Sequence, residues 1–102
     1  MRKGTRILIL ITYDVATGDE AGPRRLRRVA KICQDFGQRV QNSVFECSLD
    51  PAQFSRLRGR LLQEIDHRTD SLRFYHLGSK WQRKIEHYGA KPSYDPEGLL
   101  II

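Results

Sequence analysis

Hydrophobic residues recur along the chain in patterns that predict four strands and two helices. Residues 6–14 include five consecutive aliphatic residues and predict a strand that is apolar on both of its faces. Within residues 39–49, the alternation of apolar and polar residues changes phase at residues 41–43, which indicates a short strand, a tight bend and a longer strand. A further strand is predicted within residues 70–78, which end in a glycine.

Two segments between these strands repeat their apolar residues at helical spacing. The first has Pro23 in its first turn and ends near Gly37. The second begins at Asp50, an acidic N-cap followed by Pro51, and Gln53 occupies the capping-box position. The predicted buried stripes are Leu26, Val29, Ala30 and Cys33 in the first helix and Phe54, Leu57, Leu61 and Ile65 in the second.

The predicted order β-α-β-β-α-β is the split βαβ arrangement of ferredoxin-like folds, an α+β class. We assign residues 1–80 to this core and residues 81–102 to a C-terminal extension that packs on a dimer. Two helices can cover only one face of the sheet, so the doubly apolar first strand predicts a second copy of the chain on the other face. The apolar tail, residues 99–102, predicts an added strand on the partner's sheet; docking on its own domain is the alternative.

The composition describes an ordinary soluble protein of one domain. The chain has 102 residues, of which 39% are apolar and 29% charged, and no stretch approaches the roughly 20 apolar residues needed to span a membrane. The apolar run at the start is too short and too β-branched for a secretion signal. Cys33 and Cys47 occupy apolar positions in the patterns of their predicted helix and strand. We therefore expect them to be reduced thiols in the core of a cytoplasmic protein.

A net charge of +6 points toward a polyanionic partner, of which nucleic acid is the commonest. Basic residues concentrate on the first helix away from its apolar stripe. They are Arg24, Arg25, Arg27, Arg28 and Lys31. The alternative is a soluble surface that is basic without a partner.

The first strand ends in a carboxylate, Asp14, at a position where site residues are common. Asp14 is either a metal ligand or the start of an Asx-turn. Mg²⁺ is usually held by one or two carboxylates with waters and substrate phosphate, so two copies of Asp14 meeting across a twofold axis would make a plausible site. Asp19 and Glu20, in the next loop, are reserve ligands or simply solvated charges. The histidines lack the spacing of zinc ligands.

Three motifs together resemble a known family. The stretch ITYDV, the helix bearing RRLRRVAKIC and the following GQRVQNSVFEC strongly resemble the small CRISPR-associated adaptation protein, the second of the two core proteins of spacer acquisition. The resemblance covers nearly the whole chain. The late segment LGSKWQRKIEHYGAKP and the apolar tail resemble the subtype I-C branch.

The resemblance implies a ferredoxin-like homodimer whose two first-strand aspartates lie near the twofold axis. It also implies cleavage of phosphodiester bonds in single-stranded RNA or double-stranded DNA, with Mg²⁺ or Mn²⁺ as cofactor. In the spacer-integration complex of the family, the dimer bridges two copies of the integrase dimer and holds the DNA. The resemblance therefore predicts the integrase and nucleic acid as partners.

By matching position, the resemblance makes Asp14 the catalytic metal ligand and Tyr13 its neighbour. Ser43 and Arg39 belong to the second motif, where either could orient the phosphate and offset charge in the transition state. The predicted nucleic-acid-binding residues are Arg24, Arg25, Arg27, Arg28, Arg39 and Phe45.

Two other functions are compatible with these residues. One is a catalytically silent DNA-binding scaffold whose arginines grip phosphates while a partner enzyme does the chemistry. The other is a toxin-type ribonuclease on the same fold. The GDEAGP insert before the first helix leaves the choice of substrate open.

Overall fold

A computed structural model of the protein describes residues 6–78 and 84–90. The elements within these residues, in chain order, are β1 (Ile7–Asp14), α1 (Gly22–Phe36), β2 (Gln38–Gln41), β3 (Val44–Leu49), α2 (Pro51–Glu64), β4 (Ser71–His76) and β5 (Lys84–Gly89). The four strands and two helices predicted within residues 6–78 all form, and their boundaries agree with the predicted ones to within one or two residues.

The strands form one antiparallel sheet in the order β2-β3-β1-β4-β5. Strand β1 is central because β3 and β4 pair with its two edges. Each helix connects strands that are separated by one other strand, which is the split βαβ topology. The predicted ferredoxin-like α+β fold is confirmed.

Strand β5 was not predicted. It pairs with the whole length of β4, with Ser71 opposite Gly89 and His76 opposite Lys84. The sheet of the core therefore continues beyond residue 80, into the segment predicted to be a C-terminal extension. The predicted strand at residues 99–102, and the packing of the extension on a dimer, lie outside the described residues.

The hydrophobic core lies between one face of the sheet and the two helices. Strand residues with no solvent exposure include Ile9, Ile11, Phe45 and Phe74. Both predicted helical stripes pack against them, with Leu26 and Ala30 only partly buried. Full burial of one such side chain stabilises a fold by roughly 1.5–3 kcal/mol, so this layer holds the helices to the sheet.

The helices begin where the sequence predicts them. Asp50 caps α2: its carboxylate accepts a hydrogen bond from the amide of Gln53 at 2.7 Å, and the Gln53 side chain accepts one from the Asp50 amide at 2.9 Å. This is the predicted capping box. Helix α1 has no side-chain cap, and Pro23 lies in its first turn. Neither helix is long and apolar enough to cross a bilayer, in the part of the chain that the structure describes.

The two cysteines are free and buried, as predicted. Burial raises the pKa of the Cys33 thiol to about 12 and that of the Cys47 thiol to about 11. Both side chains are therefore protonated near neutral pH and act as small apolar groups of the core.

Candidate functional site

Strand β1 directs its alternate side chains to opposite faces of the sheet. Ile9, Ile11 and Tyr13 point into the core beneath the helices. The face of β1 that carries Leu8, Leu10, Thr12 and Asp14 has no helix over it among the described residues, and we call it the open face. Asp14 is exposed there, at the end of the central strand.

Tyr13 lies on the helix side, not beside the Asp14 side chain. Its hydroxyl donates a hydrogen bond to the carbonyl of Asn42 at 3.3 Å, and its amide donates one to the carbonyl of Ser43 at 3.2 Å. Burial and the nearby Cys33 raise the pKa of Tyr13, an effect that Arg39 and a hydrogen bond with Ser43 partly oppose. Tyr13 thus ties the end of β1 to the turn between β2 and β3.

The second predicted motif also lies on the helix side. Phe45 stacks on Tyr13, with 6.2 Å between ring centroids, and the guanidinium of Arg39 lies 5.1 Å from the centroid of the Phe45 ring. Phe45 has no solvent exposure, so the prediction that it contacts nucleic acid is wrong for this conformation. Arg39 is exposed at the edge of the sheet.

The structure therefore divides the predicted site between two faces. Asp14 is on the open face, and Tyr13, Arg39 and Phe45 are on the other, next to the Ser43 turn. The physical reason is the twofold period of a strand, which sends neighbours in sequence to opposite sides. Through these contacts Tyr13 and Ser43 hold the strand end in place, and their catalytic roles stay predictions.

Three of the four predicted arginines of α1 form an exposed basic surface: Arg24, Arg27 and Arg28. Arg28 has an ion pair with Glu64 across the groove to α2, with 3.5 Å between Nη1 and Oε2, and its side chain is 62% exposed. Such an exposed pair contributes little stability and leaves the guanidinium accessible.

Arg25 differs from its neighbours. Its side chain is only 12% exposed, and its Nε donates to Oδ2 of the fully buried Asp70 at 2.8 Å. Its Nη2 donates to Oδ1 of Asp70 and to the carbonyl of Ala16. These contacts occupy the guanidinium fork, so the prediction that Arg25 binds nucleic acid needs correction: Arg25 holds the fold together.

Asp70 was not singled out by sequence, although it organises the loop beside Asp14. Besides Arg25, it accepts hydrogen bonds from the amides of Ala16 and Asp66, at 3.0 and 2.8 Å. Burial alone would raise the pKa of Asp70, but the hydrogen bonds from Arg25, Asp66 and Ala16 outweigh burial and lower it. Asp70 immediately precedes Ser71, the residue paired with Asp14, so this carboxylate braces the sheet directly beneath the candidate site.

The reserve ligands of the β1–α1 loop are solvated. Asp19 and Glu20 are both exposed, and Oδ1 of Asp19 lies 3.7 Å from Nη1 of Arg25. No group of three histidine, cysteine, aspartate or glutamate side chains within residues 6–78 and 84–90 could hold a metal ion. Within the described residues, a single chain therefore provides one exposed carboxylate at the end of β1, that of Asp14.

These features define a small ferredoxin-like protein with a carboxylate at the end of its central strand and a basic helix nearby. A family model described as "CRISPR associated protein Cas2" matches residues 7–85. The chain belongs to this family. The subtype I-C branch remains a prediction.

Relatives cover almost the whole chain. The CRISPR-associated endoribonuclease Cas2 of Nitratidesulfovibrio vulgaris is 62% identical over 96 residues, which cover 94% of each protein. The CRISPR-associated endonuclease Cas2 of Halalkalibacterium halodurans is 56% identical over 96 residues, 94% of this chain and 100% of the relative. The crystal structure of Streptococcus pyogenes Cas2 at pH 6.5 superposes with a TM-score of 0.65 and 61% identity, over 74% of this chain and 90% of that one.

Proposed function

We propose that the protein is a metal-dependent endonuclease of CRISPR adaptation that cleaves phosphodiester bonds in single-stranded RNA or double-stranded DNA. The observation that carries the proposal is the position of Asp14, exposed on the open face at the end of the central strand. The relatives are named as an endoribonuclease and as an endonuclease, which supports nuclease chemistry and leaves the choice of nucleic acid open.

The active form in this proposal is a homodimer. The open face presents Leu8, which is 40% exposed, and the partly buried Leu10 on the central strand. Apolar side chains on a central strand favour cover by a second layer. A twofold axis that passes through this face near Asp14 would bring two copies of Asp14 together, which one chain cannot do.

Asp14 is the residue that would hold Mg²⁺ or Mn²⁺. Magnesium usually takes only one or two protein carboxylates, with waters and substrate oxygens completing its ligands, so a pair of aspartates from two chains fits its chemistry. When bound, such an ion lowers the pKa of an attacking water and neutralises charge on the scissile phosphate.

The other residues of the proposed site either hold Asp14 in position or contact the substrate. Tyr13 and Ser43 fix the end of β1, and with it the backbone that carries Asp14. The exposed arginines are placed to contact the nucleic-acid backbone. They are Arg24, Arg27, Arg28 and Arg39.

The exposed basic surface of α1 favours a second candidate function. In this alternative the protein is a catalytically silent scaffold that binds DNA and bridges integrase dimers in the cytoplasm, and the integrase does the chemistry. Both functions could reside in one molecule, because Asp14 and the α1 arginines lie on different layers of the fold.

The Asp14→Asn variant tests the nuclease proposal. We expect its single-turnover cleavage of labelled RNA and duplex DNA in Mg²⁺ or Mn²⁺ to fall roughly a hundredfold or more, since a bound metal supplies several kcal/mol of transition-state stabilisation. EDTA should abolish cleavage by the unmodified protein. Light scattering should show that the variant remains a dimer.

Asp35→Asn is the matched control, because it makes the same change of charge at an exposed carboxylate on α1. Its cleavage rate should stay within about twofold of the unmodified protein, as expected for a surface change away from the site. Cleavage that survives Asp14→Asn or EDTA would overturn the metal mechanism. No cleavage by the unmodified protein, together with intact salt-sensitive DNA binding, would favour the scaffold.

A further inference from the structure

An arginine of the open face, Arg73 on β4, has no ion pair within the part of the chain that the structure describes. Its Nε donates a hydrogen bond to Nδ1 of His87 at 3.3 Å, and its Nη1 donates one to the hydroxyl of Tyr75 at 3.0 Å. Neither partner cancels its charge. Leu72 and Phe74, which alternate with Arg73 and Tyr75 along β4, are buried in the core, so the arginine lies on the open face.

The two hydrogen bonds set the direction of the Arg73 guanidinium. His87 is opposite Arg73 on β5, so the bond to its Nδ1 draws the guanidinium toward β5 and away from β1. Arg73 is opposite Thr12, whereas Tyr75 is opposite Leu10, so the second bond draws the guanidinium along the sheet toward the row of Leu10. The charge therefore lies over the β4–β5 side of the open face, between the rows of Thr12 and Leu10.

An exposed carboxylate, Glu46, lies on the other side of the central strand. Glu46 is on β3, opposite Leu10, and so is in the same row of the sheet as Tyr75. Phe45 and Cys47, its neighbours in sequence, are buried in the core, so the Glu46 side chain is on the open face. Among the described residues, Glu46 has no ion pair. The open face thus carries one charge of each sign, on opposite sides of β1.

The twofold axis of the proposed homodimer has one direction that suits this face. Sheets that pack face to face are related by an axis that lies between them and parallel to both. An axis across β1 at Asp14 would overlap only the ends of the two strands and leave Leu8 uncovered. An axis roughly along β1 brings the two copies of Asp14 together and also covers Leu8 and Leu10 with the β1 strand of the second copy.

Rotation about an axis along β1 keeps each row of residues at its level and exchanges the two sides of the sheet. The β4 side of one copy then lies over the β3 side of the other, and Arg73 faces Glu46 of the second copy. Facing sheets are about 10 Å apart, a gap that one arginine and one glutamate side chain together span. The contact occurs twice, because a twofold interface repeats each of its contacts.

A second copy on the open face would leave Arg73 in need of an anionic partner. The other partly buried arginines have one in their own chain: Arg25 pairs with Asp70, and Arg58 pairs with Glu86 at 2.8 Å. A guanidinium that loses water and keeps only neutral partners is unfavourable, and a carboxylate offsets that cost. Complementary charges across an interface also fix its register, which apolar contacts alone do not.

We propose that Arg73 of each copy binds Glu46 of the other across the open face, and that the two ion pairs set the register of the dimer. The inference rests on the homodimer of the proposed function and names residues that hold it together. His87 and Tyr75 position the guanidinium toward the second copy. The register that results places the two copies of Asp14 at the same level.

Two charge reversals, Arg73→Glu and Glu46→Arg, test the proposal. A homodimer of either variant has like charges at both contacts, and we expect its dissociation constant in analytical ultracentrifugation to rise at least about tenfold. In a mixture of the two variants, a heterodimer has opposite charges at both contacts. We expect the heterodimer to dissociate within about threefold of the unmodified dimer, as shown by a fluorescent label on one of the two variants.

Arg56→Glu and Glu20→Arg are the matched controls. They make the same changes of charge at exposed positions, one on α2 and the other in the β1–α1 loop. Each should dimerise as the unmodified protein does, alone or mixed. Normal homodimers of Arg73→Glu and Glu46→Arg would overturn the proposal, as would a mixture without recovery or an unmodified protein that is a monomer.

Milder substitutions provide a second measurement if a reversed charge unfolds the chain. Arg73→Gln and Glu46→Gln each remove one charge of the pair, and the double variant removes both. If the two residues are in contact, the loss of dimer affinity in the double variant is smaller than the sum of the two single losses. Additive losses would overturn the proposal.

These outcomes are separate from those of the nuclease proposal, because dimerisation is measured without metal or nucleic acid. If the unmodified protein does not cleave but the two reversed variants prefer each other, the nuclease function fails and the ion pairs stand. If Asp14→Asn abolishes cleavage while reversal of Arg73 leaves the dimer unchanged, the nuclease function stands and the ion pairs fail.

Discussion

Arg25 and the buried Asp70 form an ion pair, with 2.8 Å between Nε and Oδ2, although 45 positions separate them in the chain. The pair fastens the first turns of α1 to the residue that precedes β4. Because Asp70 also binds the amide of Ala16, the loop that follows Asp14 is held by the same carboxylate. The stability of the fold and the geometry of the candidate site therefore depend on one interaction.

Removal of the Asp70 carboxylate should destabilise the protein strongly. In Asp70→Ala the guanidinium of Arg25 and the backbone amides lose their buried acceptor, and we expect the free energy of unfolding in urea to fall by about 3–5 kcal/mol. Arg25→Ala should also lower the free energy of unfolding, because the buried Asp70 loses its charged partner, whereas Arg24→Ala, one residue away and exposed, should change it by less than about 0.5 kcal/mol. A stable Arg25→Ala protein that has lost nucleic-acid binding would instead support the original prediction for Arg25.

Acid should weaken the fold because two buried carboxylates have lowered pKa values. Burial would raise the pKa of Asp70 and Glu86, but their hydrogen bonds lower them from the ordinary 3.8 and 4.5. A lowered pKa gives stability that is complete above the unfolded-state pKa and is lost as pH falls through the folded one. The free energy of unfolding should be level above about pH 5 and decline below about pH 4. The decline should be shallower in Asp70→Asn, and equal slopes would contradict this account.

Reversal of two α1 charges should weaken nucleic-acid binding without unfolding the protein. In Arg24→Glu with Arg28→Glu, we expect lower affinity for every sequence and a log–log salt slope smaller by about two, measured by anisotropy. Thermal stability should change little, since both residues are exposed. The control is Arg56→Glu with Arg68→Glu, which makes the same change of charge elsewhere; an equal effect would show that only net charge matters.

A charged residue on the open face of the central strand should prevent dimer formation. Leu8→Lys places an ammonium group where we propose that a second copy packs, and light scattering should report a monomer. Cleavage should fall in parallel, because the proposed metal site needs Asp14 from both copies. Ser55→Lys, at an exposed position of α2, is the control and should remain dimeric. A dimeric, active Leu8→Lys protein would contradict the proposed interface.

Periodicity was enough to predict most of the elements but not β5. Strands β1 and β3 and both helices bury apolar residues at regular spacing, so their patterns are visible in the sequence. On β5 the buried residue is Glu86, whose carboxylate binds Arg58, His76 and Tyr88. A strand that buries an ion pair has no apolar alternation to reveal it.

The same distinction applies to the candidate site. The position of Asp14 at the end of a strand follows from residues that are adjacent in sequence. The placement of Tyr13 on the sheet face opposite to Asp14 also follows from local sequence, because side chains alternate along a strand. The pairing of Arg25 with the buried Asp70 follows from how distant segments pair and pack. Local spacing encodes which side of an element a residue occupies, whereas the choice of partner for a charged side chain is made when strands and helices come together.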